Sequence, residues 1–389
     1  MLLVLTIAVS ACAVPVESPA PEISKPVATV AAPSPSPAAA APLQTSASAP
    51  TATPTPVQQA PTPVPTAAPS PTPSPTPSPT PDPFIGVPGI VDPNNRSWPR
   101  EVEGLNGRVV IAAKPGRIHT VSLGHDEITY GLVPSERVVA VGKFTQEPGQ
   151  SNVAEMAQKA PAIGRDPEQI VAQRPDIVIA SPFTKADLIK ALATAGIAVL
   201  QTELHNDPEG RIQDILLLGY VYGEESRALE LGSEVRSRFD ALSAVVAGKD
   251  QSRRPRVLSL TSYTDKIYTA GKGSTEGSII ETAGGINAAA EAGLTRNPTT
   301  SLEGIISMRP DVIFLPQPED GAVAFRDRLL GDPALAEVPA VKHGRIYPVP
   351  PKFFTTLSFW NVRGAEELAA ILFPDDLAGK EFPPFSFPE

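Results

Sequence analysis

The chain carries few residues able to do covalent or metal chemistry, and their spacing narrows the choice further. Its four histidines are His119, His125, His205 and His343. No two stand four apart, the spacing that would put two ligands on one helical face. His125 alone has acidic neighbours, Asp126 and Glu127. That triplet reads first as a solvated loop and only second as a metal or haem ligand. The single cysteine is Cys12, so the rest of the chain offers no thiol nucleophile, disulfide or cysteine-based zinc site. Gly271-Lys272-Gly273-Ser274 has the look of a phosphate loop, but Gly273 stands where Ser or Thr should follow the lysine. No Gly-x-Ser-x-Gly elbow is present. Neither an enzyme nor an intrinsic metal or cofactor is expected.

Two acidic side chains have a different claim. Asp166-Pro167-Glu168 opens one segment and Ser301-Leu302-Glu303 opens another. Each continues through an Ile-aliphatic pair to Arg-Pro-Asp and then a β-rich run. Each begins with a helix-capping residue, and the proline ends the helix because it cannot extend the hydrogen-bond ladder. A unit used twice implies two lobes of matching design. Glu168 and Glu303 then hold equivalent positions, where a first-turn acid also favours the helix dipole.

The elements that must hold these positions alternate. Short β-rich runs lie at 109–111, 137–141, 176–180, 197–200, 256–260, 311–315 and 345–347. Helical stretches such as 185–195 and 357–372 separate them. Uninterrupted apolar runs suit strands buried on both faces, and strands alternating with helices imply parallel sheets. One helical stretch, 224–247, lacks proline, and its Leu231, Val235, Phe239, Leu242 and Val246 form a single stripe. It would extend about 36 Å, roughly the width of a domain. The expected fold is α/β: two pseudo-symmetric α/β lobes joined by one long backbone helix, with a ligand cleft between the lobes.

Composition separates this body from what precedes it. Of the 47 prolines among 389 residues, 22 fall within 13–83, which carries no charge between Lys25 and Asp82. Such a segment has too little apolar side chain to offset the entropy of ordering. Residues 12–95 are therefore expected to be a Pro/Ala/Ser/Thr-rich disordered tether. The folded body is expected over 96–389, with lobe one at 96–222, the helix at 224–247 and lobe two at 253–373. Residues 1–11 are an apolar run too short to span a bilayer, suited to a signal peptide. Val9-Ser10-Ala11-Cys12 resembles the bacterial lipobox. That implies lipidation of Cys12 and an extracytoplasmic protein held to the outer face of the cytoplasmic membrane. A net charge of −10 with no basic run argues against a nucleic-acid partner.

A series of motifs between 98 and 373 then resembles a known family. They include Trp98-Pro99-Arg100-Glu101-Val102, Pro115-Gly116-Arg117-Ile118 and both Arg-Pro-Asp helices. Tyr268-Thr269-Ala270-Gly271, Thr282-Ala283-Gly284-Gly285-Ile286-Asn287 and Val338-Pro339-Ala340-Val341 follow in order. The family is the substrate-binding proteins of bacterial ABC importers for iron-siderophore complexes, cobalamin and haem, the group with a rigid helical backbone between the lobes. Two stretches depart from its pattern. Residues 122–127 replace a Ser/Pro/Thr-rich loop, and 143–161 lack an aromatic and Pro pair.

The resemblance implies a monomeric receptor that captures a metal chelate and delivers it to an ABC permease dimer with its ATPase subunits. Among ligands, an iron-siderophore chelate comes first, then cobalamin or haem. Glu168 and Glu303 would each dock onto arginines of one permease subunit. Sites in α/β folds favour strand ends, which here face the other lobe. From lobe one this nominates Ser122, His125, Phe144 and Phe183. From lobe two it nominates Tyr263, Lys272, Phe353 and Trp360. The aromatics would supply flat apolar area, and Lys272 would meet an anionic group. For each residue, core packing or a solvated turn is the competing reading. The rival functions are a free zinc or manganese receptor, which needs three or four converging ligands, and a surface hydrolase.

Overall fold

The computed structural model describes residues 82–388. The signal peptide, the lipobox with Cys12 and most of the expected tether lie outside the described residues.

The described chain opens with an antiparallel hairpin of β1 (Arg100–Gly104) and β2 (Gly107–Ile111). The first lobe follows: β3 (Ile118–Thr120), β4 (Val138–Ala140), β5 (Ile177–Ala180) and β6 (Ala198–Gln201). They form a parallel sheet in the order β4-β3-β5-β6. Its helices include α1 (Leu123–Leu132), α2 (Pro167–Ala172) and α3 (Pro208–Tyr222). The long helix α4 (Glu225–Val246) leads to the second lobe. There β7 (Arg256–Tyr263), β8 (Lys266–Thr269), β9 (Ile286–Asn287), β10 (Thr299–Thr300), β11 (Val312–Pro316) and β12 (Ile346–Val349) make one sheet. Its order is β10-β8-β7-β11-β12, with β9 beside β7. Strands β7, β9, β11 and β12 run parallel, and β8 and β10 are antiparallel additions. Helices α5 (Thr275–Thr282), α6 (Leu302–Met308) and α7 (Asn361–Leu372) belong to this half of the chain.

The apolar runs explain this layering. Strands β5 and β11 are buried along their whole length, as parallel strands covered on both faces must be. In α4 the expected stripe faces inward, with Leu231, Val235, Phe239 and Leu242 buried. Helix α3 is apolar on nearly every side and almost wholly buried, so two long helices join the lobes rather than one. Gly223 makes the sharp reversal between them at a left-handed φ of 69°. Each lobe has an outer core of its own, around Ile170, Val178 and Leu192 in the first and Leu258, Ile305 and Ile313 in the second. A larger core is shared: Ile118, Ile128 and Tyr220 meet Leu231, Phe314, Phe354 and Phe359 within it.

The twice-used unit has a structural meaning beyond its helix. Arg174 and Arg309 follow α2 and α6 in the left-handed conformation, at φ 47° and 45°. The aspartate two residues later then holds the strand beside it. Asp176 Oδ2 accepts the backbone N–H groups of Gly116 and Arg117, each at 2.8 Å. Asp311 Oδ2 accepts that of Arg256 at 2.8 Å.

Composition is a poor guide to where the body begins. Residues 82–95, assigned to the tether, instead send Phe84 and Val87 into the shared core. The guanidinium of Arg96 covers the Phe84 ring at 4.5 Å. Past 373, the chain lies without regular structure, yet Phe385 is buried against Trp360 and beneath Arg238. Among the described residues, no helix is long and apolar enough to cross a membrane.

Candidate functional site

A cleft of about 850 Å³ opens between the lobes at the C-terminal ends of their parallel strands. Lobe one contributes Pro182 and Phe183, just past β5, and Glu203, Leu204 and Asn206, just past β6. Lobe two contributes Ser259, Thr261 and Tyr263 of β7, Tyr268 and Thr269 of β8, and Gln317 past β11. The first turn of α5 adds Thr275 and Glu276, and an adjoining loop adds Arg296 and Asn297. Phe183 and Tyr263 are the most open aromatics of this lining, 73% and 57% exposed. The Tyr263 ring stands edge-on to Tyr268, with centroids 6.1 Å apart.

Three charges face this space. Burial pushes the Glu276 carboxyl up, against a hydrogen bond donated by Asn297 Nδ2 at 3.3 Å. Glu203 is exposed on the opposite wall. Arg296 is held at a φ of 57°, where its N–H donates to the Lys272 carbonyl at 2.9 Å and its carbonyl accepts from Gly271 at 2.8 Å. Among the described residues neither Glu203 nor Arg296 forms an ion pair. The rest of the lining is mostly neutral donors and acceptors: Gln150, Asn206, Asn297 and Gln317 amides and several hydroxyls. The cleft can therefore grip an amide-rich or hydroxyl-rich ligand by directional bonds, over aromatic and aliphatic patches.

Of the eight side chains nominated from sequence, Phe183 and Tyr263 line this cleft. Phe144 is 69% exposed and Lys272 is exposed, but neither is among the lining residues. Phe353 stacks on Trp360 at 6.2 Å, and Trp360 is buried in the shared core. Ser122 caps α1, accepting from the His125 N–H at 3.4 Å, and its hydroxyl meets His125 Nδ1 at 2.8 Å. His125 itself is fully buried, which pushes its pKa down to about 3. The reading of 125–127 as a solvated loop is corrected: the residues belong to a buried helix start, and Gly124 lies so close to the Leu357 backbone that a Cβ would meet it at 2.9 Å.

Asp126 and Glu127 are buried with His125. Burial raises the Asp126 pKa to about 7, although Thr120 and Thr145 both place hydroxyls 2.6 Å from its oxygens. Glu127 is pushed up by the same cause. Glu168 and Glu303 sit in the first turns of α2 and α6, both exposed. The Ser301 hydroxyl holds the Glu303 carboxyl below its ordinary range. Among the described residues no group of three or more His, Cys, Asp or Glu is arranged to hold a metal ion, so the free-metal alternative finds no ligand set there.

Sequence reasoning missed Glu203, Asn206, Tyr268, Glu276, Arg296 and Gln317. A signal existed for some. Residues 203–206 and Gln317 directly follow runs read as strands, and strand ends are where α/β folds build their sites. Arg296 had none, because nothing local marks a lone arginine in a loop.

Three comparisons bear on this geometry. The model of the periplasmic binding protein family matches residues 118–353. An uncharacterized ABC transporter substrate-binding lipoprotein of Bacillus subtilis, YvrC, is 28% identical over 280 residues, 70% of this chain and 85% of that protein. A cobalamin-binding protein of Halobacterium salinarum is 29% identical over 215 residues, 55% of this chain and 57% of that protein. The apo structure of the periplasmic heme-binding protein RhuT from Roseiflexus superposes with a TM-score of 0.59 at 25% identity. That superposition covers 67% of this chain and 98% of that one.

Proposed function

The chain belongs to the periplasmic binding protein family, a group of extracytoplasmic solute-binding proteins and not enzymes, and from that premise we propose that it is the receptor of an ABC importer for a corrinoid. The ordering of ligands thereby changes: sequence alone put ferric siderophores first. The observation that carries the reading is the charge and chemistry of the cleft. One arginine faces two carboxyl groups there, and the remaining polar groups are neutral. Haem brings two propionates, and many ferric siderophores bring further negative charge, which that balance disfavours. A corrinoid rimmed with amides suits the Gln, Asn and hydroxyl lining, while Phe183, Tyr263 and Tyr268 offer flat apolar contact. The kinship with cobalamin-binding proteins supports the same choice. Haem is the second reading, favoured by the exposed Tyr263 phenol as an oxygen donor and by the likeness to RhuT.

Delivery would use Glu168 and Glu303 as paired contacts for the two permease subunits. Neither carboxylate is tied into an ion pair among the described residues, so both are available to a partner. A lipid on Cys12 would keep the receptor near the membrane through the Pro-rich segment. Calorimetric titration of the purified protein with cyanocobalamin, haemin and a ferric hydroxamate tests the ligand. Saturable heat with cyanocobalamin is expected. Saturation by haemin alone would move the assignment to the second reading.

A further inference from the structure

Beneath the cleft floor, lobe one grips three consecutive residues of lobe two with two buried charges. Glu127, on α1, is wholly buried. Its Oε1 accepts the backbone N–H and the side-chain N–H of Asn152, at 2.8 and 2.9 Å. Its Oε2 accepts the hydroxyls of Thr356 and Ser358, the latter at 2.5 Å. Those hydroxyls are committed as donors. Thr356 Oγ1 already accepts the Ser358 N–H at 3.3 Å, and Ser358 Oγ accepts the Trp360 N–H at 3.2 Å. Between them, the Leu357 carbonyl accepts from Nη1 of Arg211, a wholly buried residue of α3. Leu357 lines the cleft. Asn152 Nδ2 completes the contact by donating to the Lys352 carbonyl at 2.7 Å.

The shared apolar core holds the lobes together, but apolar contact is non-directional and specifies their angle less sharply than hydrogen bonds do. Burying a carboxylate and a guanidinium instead costs free energy, which hydrogen bonds offset for Glu127 and only in part for Arg211, whose Nε has no partner. What such a network supplies is direction: each bond constrains distance and angle at once. We infer that Glu127 and Arg211 are positioning residues that set the angle between the lobes and, through Leu357, the height of the cleft floor. Helices α3 and α4 tether the lobes, and the grip on 356–358 selects one orientation among those the tether allows.

The inference concerns the unliganded protein, so its failure is separable from failure of the ligand assignment. Spin labels at Lys185→Cys and Asp265→Cys, both exposed positions, place one probe on each lobe. The full chain carries Cys12→Ser so that only these positions react. With the grip intact, the distance distribution should be a single narrow peak. In Thr356→Val/Ser358→Ala the peak should broaden and gain a second population. Hydrogen exchange of β5 and β11 should quicken by no more than the fall in urea-unfolding stability accounts for, so that a spread of angles is told apart from unfolding of either lobe. An unchanged narrow peak in the folded double variant overturns the inference. Should that variant fail to fold, Ser358→Ala alone, which removes one hydroxyl, is read in the same way.

Discussion

The cleft and the joint beneath it are made from the same kinds of side chain, and they do opposite work. Both are rich in hydroxyls, amides and carboxylates, and Leu357 belongs to both. In the joint, Glu127 accepts four hydrogen bonds, and the two hydroxyls among their donors themselves accept backbone N–H groups. In the cleft, Glu203, Arg296 and the open faces of Phe183 and Tyr263 have capacity left over. Residue type therefore does not distinguish a fastening from a binding surface. What distinguishes Glu127 from Glu203 is that the protein has already satisfied the first carboxyl group and not the second.

The largest expected effect lies in the joint. Glu127→Ala leaves two hydroxyls and the Asn152 donors without an acceptor in a buried site, and should destabilise the protein by roughly 3 kcal/mol or more in urea unfolding. A loss as small as that of a surface substitution would erase the distinction between joint and cleft. Asp126 comes next. Its pKa is about 7 folded, against an ordinary 3.8. Stability from its neutral form is complete below the unfolded value and is lost as pH rises through the folded one. Each tenfold change in proton affinity on folding corresponds to about 1.4 kcal/mol, so the decline should amount to a few kcal/mol between roughly pH 4 and 7. Asp126→Asn, neutral throughout, should flatten Asp126's share of that decline in unfolding curves taken across the range.

Cleft substitutions should show the reverse pattern. Tyr263→Ala and Arg296→Ala remove exposed groups, so stability should change by no more than about 0.5 kcal/mol. Cyanocobalamin affinity should fall by about tenfold in each, as loss of a well-placed contact predicts. Calorimetry on the two variants measures both quantities. The smallest effect on the isolated protein is expected at the docking pair. Glu168→Ala/Glu303→Ala should leave unfolding and cyanocobalamin binding as they are, while corrinoid uptake by cells carrying the variant fails. Normal uptake would remove these residues from the interface.

The architecture was legible because parallel strands and a striped helix leave periodic marks. β5, β6, β7, β11 and β12 all coincide with apolar runs, and the Arg-Pro-Asp unit announced both lobes. β3 was harder: three residues, Ile118–Thr120, carry too little pattern to stand out. The cleft was legible only where it follows such a run, at Phe183 and along β7 to Tyr263. His125 and Trp360 misled for one reason. Each is a residue type that binds ligands when exposed, and burial is set by neighbours far away in sequence, such as Leu204 and Leu357 near α1 or Phe385 on Trp360. Phe84 shows the same from the other side, since the proline-rich stretch before it hid a core residue.

Hydrogen exchange of the protein with and without cyanocobalamin tests the receptor assignment most directly, because it reads the cleft and the joint in one experiment. A corrinoid seated between the lobes should slow exchange at 182–183, 203–206, 259–276 and 296–297, with 122–129 unchanged because those amides are already enclosed. Protection confined to other surfaces, or no protection anywhere at saturating cyanocobalamin, would contradict the assignment.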